Sequence, residues 1–132
     1  MKALIITDGT ESIQSIALLI KESLAGVKSK GKITTGICTA QNLKGNEILP
    51  ADIFFLGCEE PSPSSFTLLE EILSHINLAP RKCGVFSVKA KTNKYLLSIL
   101  KDSEADTKEP FLAENGNLKK SDIKKWLKQI TG

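Results

Sequence analysis

Ala3-Leu4-Ile5-Ile6-Thr7-Asp8-Gly9-Thr10-Glu11-Ser12 is the stretch that decides how this chain folds. Residues 3–7 are almost wholly apolar, the composition of a strand covered on both faces. Asp8 to Ser12 then supply a glycine, two acids and two hydroxyls. Beyond them Ile13, Ile16, Ala17, Ile20 and Leu24 fall at i, i+3, i+4, i+7 and i+11, one stripe of an amphipathic helix. Gly26 suits the end of that helix. A buried strand therefore runs through a hydroxyl-rich loop into a helix.

The same alternation continues along the chain. Lys32 to Thr39 reads as a second strand, and Asn42 to Pro50 as a connector in which a helix is brief or absent. Asp52 to Gly57 is the strongest strand and is expected to be central. A loop with Pro61 and Pro63 follows. Phe66, Leu69, Ile72, Leu73 and Ile76 then form a second helical stripe, with Ser64 or Ser65 as its cap. Cys83 to Val88 is a fourth strand. Tyr95, Leu96, Ile99 and Leu100 mark a third helix, with Thr92 as its expected cap. Lys101 to Glu109 reads as a charged loop. Pro110 to Ala113 reads as a short fifth strand, placed at an edge by its proline. Asn115-Gly116-Asn117 is a turn, and Ile123, Trp126, Leu127 and Ile130 complete the last stripe. This order implies an α/β fold, a doubly wound parallel sheet with helices on both faces.

Length and composition agree with one ordinary domain over residues 1–132. Hydrophobic residues make up 41% and charged residues 25%, which is the balance of a globular protein and not of a disordered one. No apolar run approaches the roughly 20 residues needed to span a bilayer. The first apolar stretch is too short for a signal-peptide core, so a cytoplasmic location is expected. Cys38, Cys58 and Cys83 are odd in number, widely spaced and without a CxxC pair. They indicate neither a zinc site nor a disulfide framework. The net charge of +3 is weak, but Lys119, Lys120, Lys124, Lys125 and Lys128 concentrate near the end. They form either a solvated helix face or a surface for an acidic partner. A nucleic-acid ligand is not expected, because interleaved aromatics are missing and Trp126 falls on the apolar face.

In a doubly wound sheet, ligands bind beyond the carboxyl ends of the strands, at the switch point of strand order. Three loops therefore matter. The first, Thr7 to Ser12, could meet a phosphate with backbone N–H groups at a helix N-terminus. Thr10 or Ser12 could equally cap the helix, and Asp8 and Glu11 would repel an anion. The sequence matches neither GxGxxG nor a P-loop. The second loop, Gly57 to Ser65, carries Glu59 and Glu60, but adjacent acids on an exposed loop rarely acquire the opposed environments of a catalytic pair. The sole histidine, His75, lies in the helix that follows. The third loop, Ser87 to Asn93, is basic and polar through Lys89, Lys91 and Thr92. Tyr95 beyond it could stack on a ring or pack in the core. Response-regulator receivers share this architecture, with an acid after strand one. They also need an Asp at the end of strand three, where this chain has Gly57, so phosphoacceptor chemistry is not expected.

At these loops the chain resembles the flavodoxin family. Ile5 to Ala17 looks like that family's phosphate loop and its helix. Thr7 and Ser12 match the outer hydroxyl positions in one register. A register shifted by one places Thr10 on the central Thr. Ala51 to Cys58 is similar to the family's Ala-Asp-strand-Gly-Ser/Cys segment, and Lys82 to Ser87 to the strand before its third flavin loop. The resemblance implies a five-stranded sheet of order 2-1-3-4-5, non-covalent FMN and electron transfer to a redox partner protein. It assigns Thr7, Asp8, Gly9, Thr10, Glu11 and Ser12 to the phosphate. Gly57, Cys58, Glu59, Glu60, Ser87, Lys89 and Thr92 would lie about the ring. Glu59-Glu60-Pro61 stands where the family has a Trp or Tyr, and the third loop lacks its Gly-Asp. A second expectation is therefore an interaction module of the same fold that has lost flavin binding, using the Lys-rich last helix. A third is a small hydrolase or transferase acting through Cys58.

Overall fold

A computed structural model describes residues 1–27, 32–43, 48, 50–113 and 118–131. The expected turn at residues 115–117 and the middle of the 42–50 connector lie outside the described residues. Strands β1 (Lys2–Thr7), β2 (Thr34–Thr39), β3 (Ile53–Gly57) and β4 (Lys82–Ser87) pair in parallel. The sheet runs β2-β1-β3-β4 and ends in a fifth position filled by two short segments, β5 (Asp106–Thr107) and β6 (Phe111–Leu112). β5 pairs with Lys82 and Cys83, and β6 with Phe86 and Ser87. The order is thus 2-1-3-4-5, and β3 is central.

The helices are α1 (Glu11–Ala25), α2 (Thr67–His75), α3 (Ala90–Leu100) and α4 (Lys120–Thr131). Each apolar strand splits its side chains between two cores. Leu4, Ile6, Phe54, Leu56 and Val85 face α2 and α3, whereas Ala3, Ile5, Phe55 and Phe86 face α1 and α4. Coverage of both faces is why these strands read as continuous apolar runs and not as alternating ones. The α1 stripe is buried at every expected position. On α4, Ile123, Trp126, Leu127 and Ile130 are buried. Trp126 is ringed by Phe55, Phe86 and Phe111, with centroids 5.6, 6.4 and 5.4 Å away, and its Nε1–H donates to the Glu109 carbonyl at 2.7 Å. Gly84 makes room for this anchor. A Cβ there would come within 2.8 Å of Trp126 Cζ2 and 2.5 Å of Ile130 Cδ1.

Four expectations need correction. Residues 101–109 are not merely loop, because Lys101–Ser103 form a 3-10 turn and β5 follows. β5 is too short and too exposed to leave a hydrophobic pattern. The second helix has no hydroxyl side-chain cap. A 3-10 turn over Ser64–Phe66 leads into it, and Ile76 lies beyond its end. Strand two starts at Thr34 and not at Lys32. Thr92 caps nothing, since α3 already begins at Ala90 and Thr92 is buried inside it. Between β2 and β3, the described residues show a 3-10 turn at Ala40–Asn42.

Candidate functional site

Thr7, Gly57 and Phe86 sit side by side at the carboxyl ends of β1, β3 and β4. The loops leaving these strands therefore meet. The first is shaped by its own residues. Asp8 Oδ1 accepts the Thr10 N–H at 3.1 Å, an Asx turn, and also the Thr10 hydroxyl at 2.7 Å. Gly9 adopts a φ of 82°, the left-handed region that favours glycine. Thr7 is fully buried. Its hydroxyl donates to Gln14 Oε1 at 2.9 Å and accepts the Gly9 N–H at 3.2 Å. Glu11 and Ser12 are exposed and already helical.

α1 starts without a side-chain cap. The Thr10 carbonyl takes the Gln14 N–H at 2.9 Å. The N–H groups of Glu11, Ser12 and Ile13 therefore precede the intrahelical ladder, as at any helix N-terminus. Thr10 occupies the cap position, but its hydroxyl is turned to Asp8.

Asp8 also reaches the second loop, where its Oδ2 accepts the Glu59 N–H at 2.8 Å. The Glu59 carbonyl in turn accepts the Thr92 hydroxyl at 3.1 Å. Thr92 is thus a tie between α3 and the second loop. Glu60 forms an ion pair with Lys89. The hydrogen bond from Lys89 holds the exposed Glu60 carboxyl below the usual carboxylate range. The third loop is far shorter than the expected span of residues 87–93, with only Val88 and Lys89 between β4 and α3. Ser87 Oγ is buried and lies 2.7 Å from the Lys89 carbonyl and 2.8 Å from Asn93 Oδ1. The amide of Asn93 donates to the Phe111 carbonyl at 3.3 Å, which secures β6.

Cys58 is buried beneath these loops. Burial, with the nearby Asp8 and Glu60 charges, pushes its thiol up to about 12. A nucleophilic cysteine needs the opposite shift, so the environment of Cys58 does not suit the hydrolase or transferase expectation. Burial likewise pushes the Cys83 thiol up. Among the described residues no group of His, Cys, Asp and Glu could hold a metal ion. His75 is exposed on α2.

The residues expected about a flavin are therefore brought together, but largely to one another. At the phosphate end, the N–H groups opening α1 suit an anion. The Asp8 carboxylate already occupies the Thr10 and Glu59 donors, and Glu11 adds a second negative charge. At the ring end, the two flanking loops are joined by the Lys89–Glu60 and Thr92–Glu59 contacts. No aromatic residue stands in 57–63 or 88–89. Tyr95 is half-buried beside the second loop, its ring 6.5 Å from that of Phe66 and its hydroxyl bonded to Glu70 and within reach of Ser62. Burial and Glu70 push that phenol up. This donor set does not fit a stacked flavin ring, which needs apolar faces on both sides.

Gln14 and Asn93 were not singled out from the sequence. Both are polar residues one turn inside a helix, adjacent to an apolar stripe, and that position is the one available signal for them.

The sequence matches no family model and no curated protein. Comparison with solved structures does find relatives of the fold. A flavodoxin from Streptococcus pneumoniae aligns with a TM-score of 0.75 at 14% identity, covering 98% of this chain and 96% of that one. Oxidised flavodoxin 2 from Bacillus cereus aligns with a TM-score of 0.71 at 19% identity, covering 96% and 94%. A Fusobacterium nucleatum flavodoxin bound to flavin mononucleotide aligns with a TM-score of 0.72 at 14% identity, covering 98% and 95%.

Proposed function

We propose that this chain, whose fold is that of the flavodoxins, is a single-domain cytoplasmic interaction module that works through its surface and not through a resident flavin. The carrying observation is that Asp8 and Thr92 tie the three loops to one another. A ligand entering there would have to break contacts that the folded chain already makes. The basic face of α4 is the surface through which an acidic ligand or partner would be met. Lys119, Lys120, Lys124, Lys125 and Lys128 are all exposed on or beside that helix. Cys58 and Cys83, buried as free thiols, fit a reducing compartment.

The second reading is an FMN-binding electron carrier serving a redox partner protein. The uncapped N-terminus of α1 favours it, together with a switch point of strand order beside β1. In that reading Thr7 to Ser12 would hold the phosphate, with 57–60, Ser87 and Lys89 about the ring. FMN titration separates the two. The module reading expects colourless purified protein and no quenching of FMN fluorescence at roughly tens of micromolar, about −6 kcal/mol of binding. Saturable quenching in that range would replace it with the carrier reading.

A further inference from the structure

Polar groups without partners among the described residues also lie away from the loops, in a cleft between the last turn of α1 and α4. Its volume is about 460 Å³, and Glu22, Ser23, Gly26, Val27 and Thr131 line it together with Lys120, Lys124 and Lys128. That volume lies within the range of small-molecule sites, roughly 300–1,000 Å³. The three lysines are spaced i, i+4 and i+8, so one face of α4 presents them to the cleft. Lys120 is 3.7 Å from Glu22. Lys124 and Lys128 have no ion pair among the described residues. Val27 and the lysine stems supply an apolar wall below the charged heads. Ser23 is nearly fully buried, and its Oγ has no hydrogen-bond partner among the described residues. A buried hydroxyl without a partner is unusual in a folded protein.

We propose that this cleft binds a small amphipathic organic anion, with a carboxylate or phosphate at Lys124 and Lys128 and a short apolar body against Val27. The proposal rests on the module reading only in naming a ligand for the α4 face. The cleft does not involve the flavin loops. Glu22 offsets one of the three lysines and leaves two, so an anion of one or two charges matches the remainder better than a polyanion. α1 has no basic residue in its own last turn. The competing account is therefore that the α4 lysines only complement the carbonyl end of that helix.

The test is a titration of isotope-labelled protein followed by amide shifts. Octanoate and hexyl phosphate are the two anionic probes, and octylammonium carries a comparable tail with the opposite charge. The expected result is saturable shifts at Ser23, Gly26 and Val27 with an anionic probe and none with octylammonium. The stronger of the two anions identifies the head group. The double variant Lys124→Glu/Lys128→Glu should weaken binding at least about tenfold, whereas Lys94→Glu, exposed on α3 across the sheet, should leave it unchanged. Absence of saturable shifts overturns the proposal. So does an equal response to octylammonium, or a double variant that loses stability without any anion binding in the parent protein. If FMN titrates the loops while octanoate still fills the cleft, the module reading falls and the cleft stands.

Discussion

The two ends of α1 face opposite situations. At its N-terminus, Asp8 gathers the donors of two loops, and Thr92 and Lys89 close the remaining gap. At its C-terminus, lysines from α4 converge on a cleft with one internal counter-charge, Glu22. The fold therefore does not dictate where ligand chemistry sits. At the strand ends that usually provide a site, side chains of the three loops bond to one another and only the first N–H groups of α1 stay uncapped, while a helix–helix seam is left open. Whether polar groups already have partners separates the two regions better than their position in the topology.

Substitutions at each end test this contrast. The largest effect is expected at Trp126, which holds α4 to the sheet by packing. Trp126→Ala should cost about 3–5 kcal/mol in urea unfolding, since it removes a buried aromatic and leaves a cavity. Asp8→Ala comes next. It strips acceptors from the Thr10 and Glu59 N–H groups and should cost about 1–3 kcal/mol, with faster amide exchange at Glu59. Asp8→Asn should fall between, because it keeps one acceptor. A fully stable Asp8→Ala would show that the loops are held by something other than this carboxylate. Thr92→Val keeps the shape and removes one hydrogen bond, so a loss of about 1 kcal/mol is expected. The smallest effect belongs to the Lys89–Glu60 pair. A depressed carboxyl stabilises above its unfolded value and loses that contribution as pH falls through its folded one. Glu60 is exposed, so Glu60→Gln should leave the acid limb of the stability–pH curve unchanged within measurement. A large shift there would mean that the ion pair carries the closure.

Much of the fold was legible because burial writes a regular signal. The stripes of α1 and α4 together cover one face of the sheet, and β1, β3 and β4 are apolar because both their faces are covered. β5 left no such trace. Asp106 is exposed and held by backbone bonding, its N–H on the Arg81 carbonyl at 3.0 Å. The candidate site was legible as three loops but not as a state. Lys89, Lys91 and Thr92 look like loop residues because polar side chains inside a helix are usually exposed. Thr92 is buried because its hydroxyl finds Glu59, 33 residues earlier in the chain.

By itself the sequence determined that Ala3 to Ser12 is a strand, a polar loop and the first turn of a helix, and that the pattern repeats into a parallel sheet. Local periodicity and turn chemistry suffice for that, since both act within a few residues. Only the tertiary structure decided which partners the hydroxyls and acids of that loop find. Asp8 could have faced solvent, capped its own helix or repelled a phosphate. It bonds Glu59, 51 residues away, because parallel pairing sets the ends of β1 and β3 side by side. A donor's partner is a matter of three-dimensional neighbours, and no pattern within one segment records it.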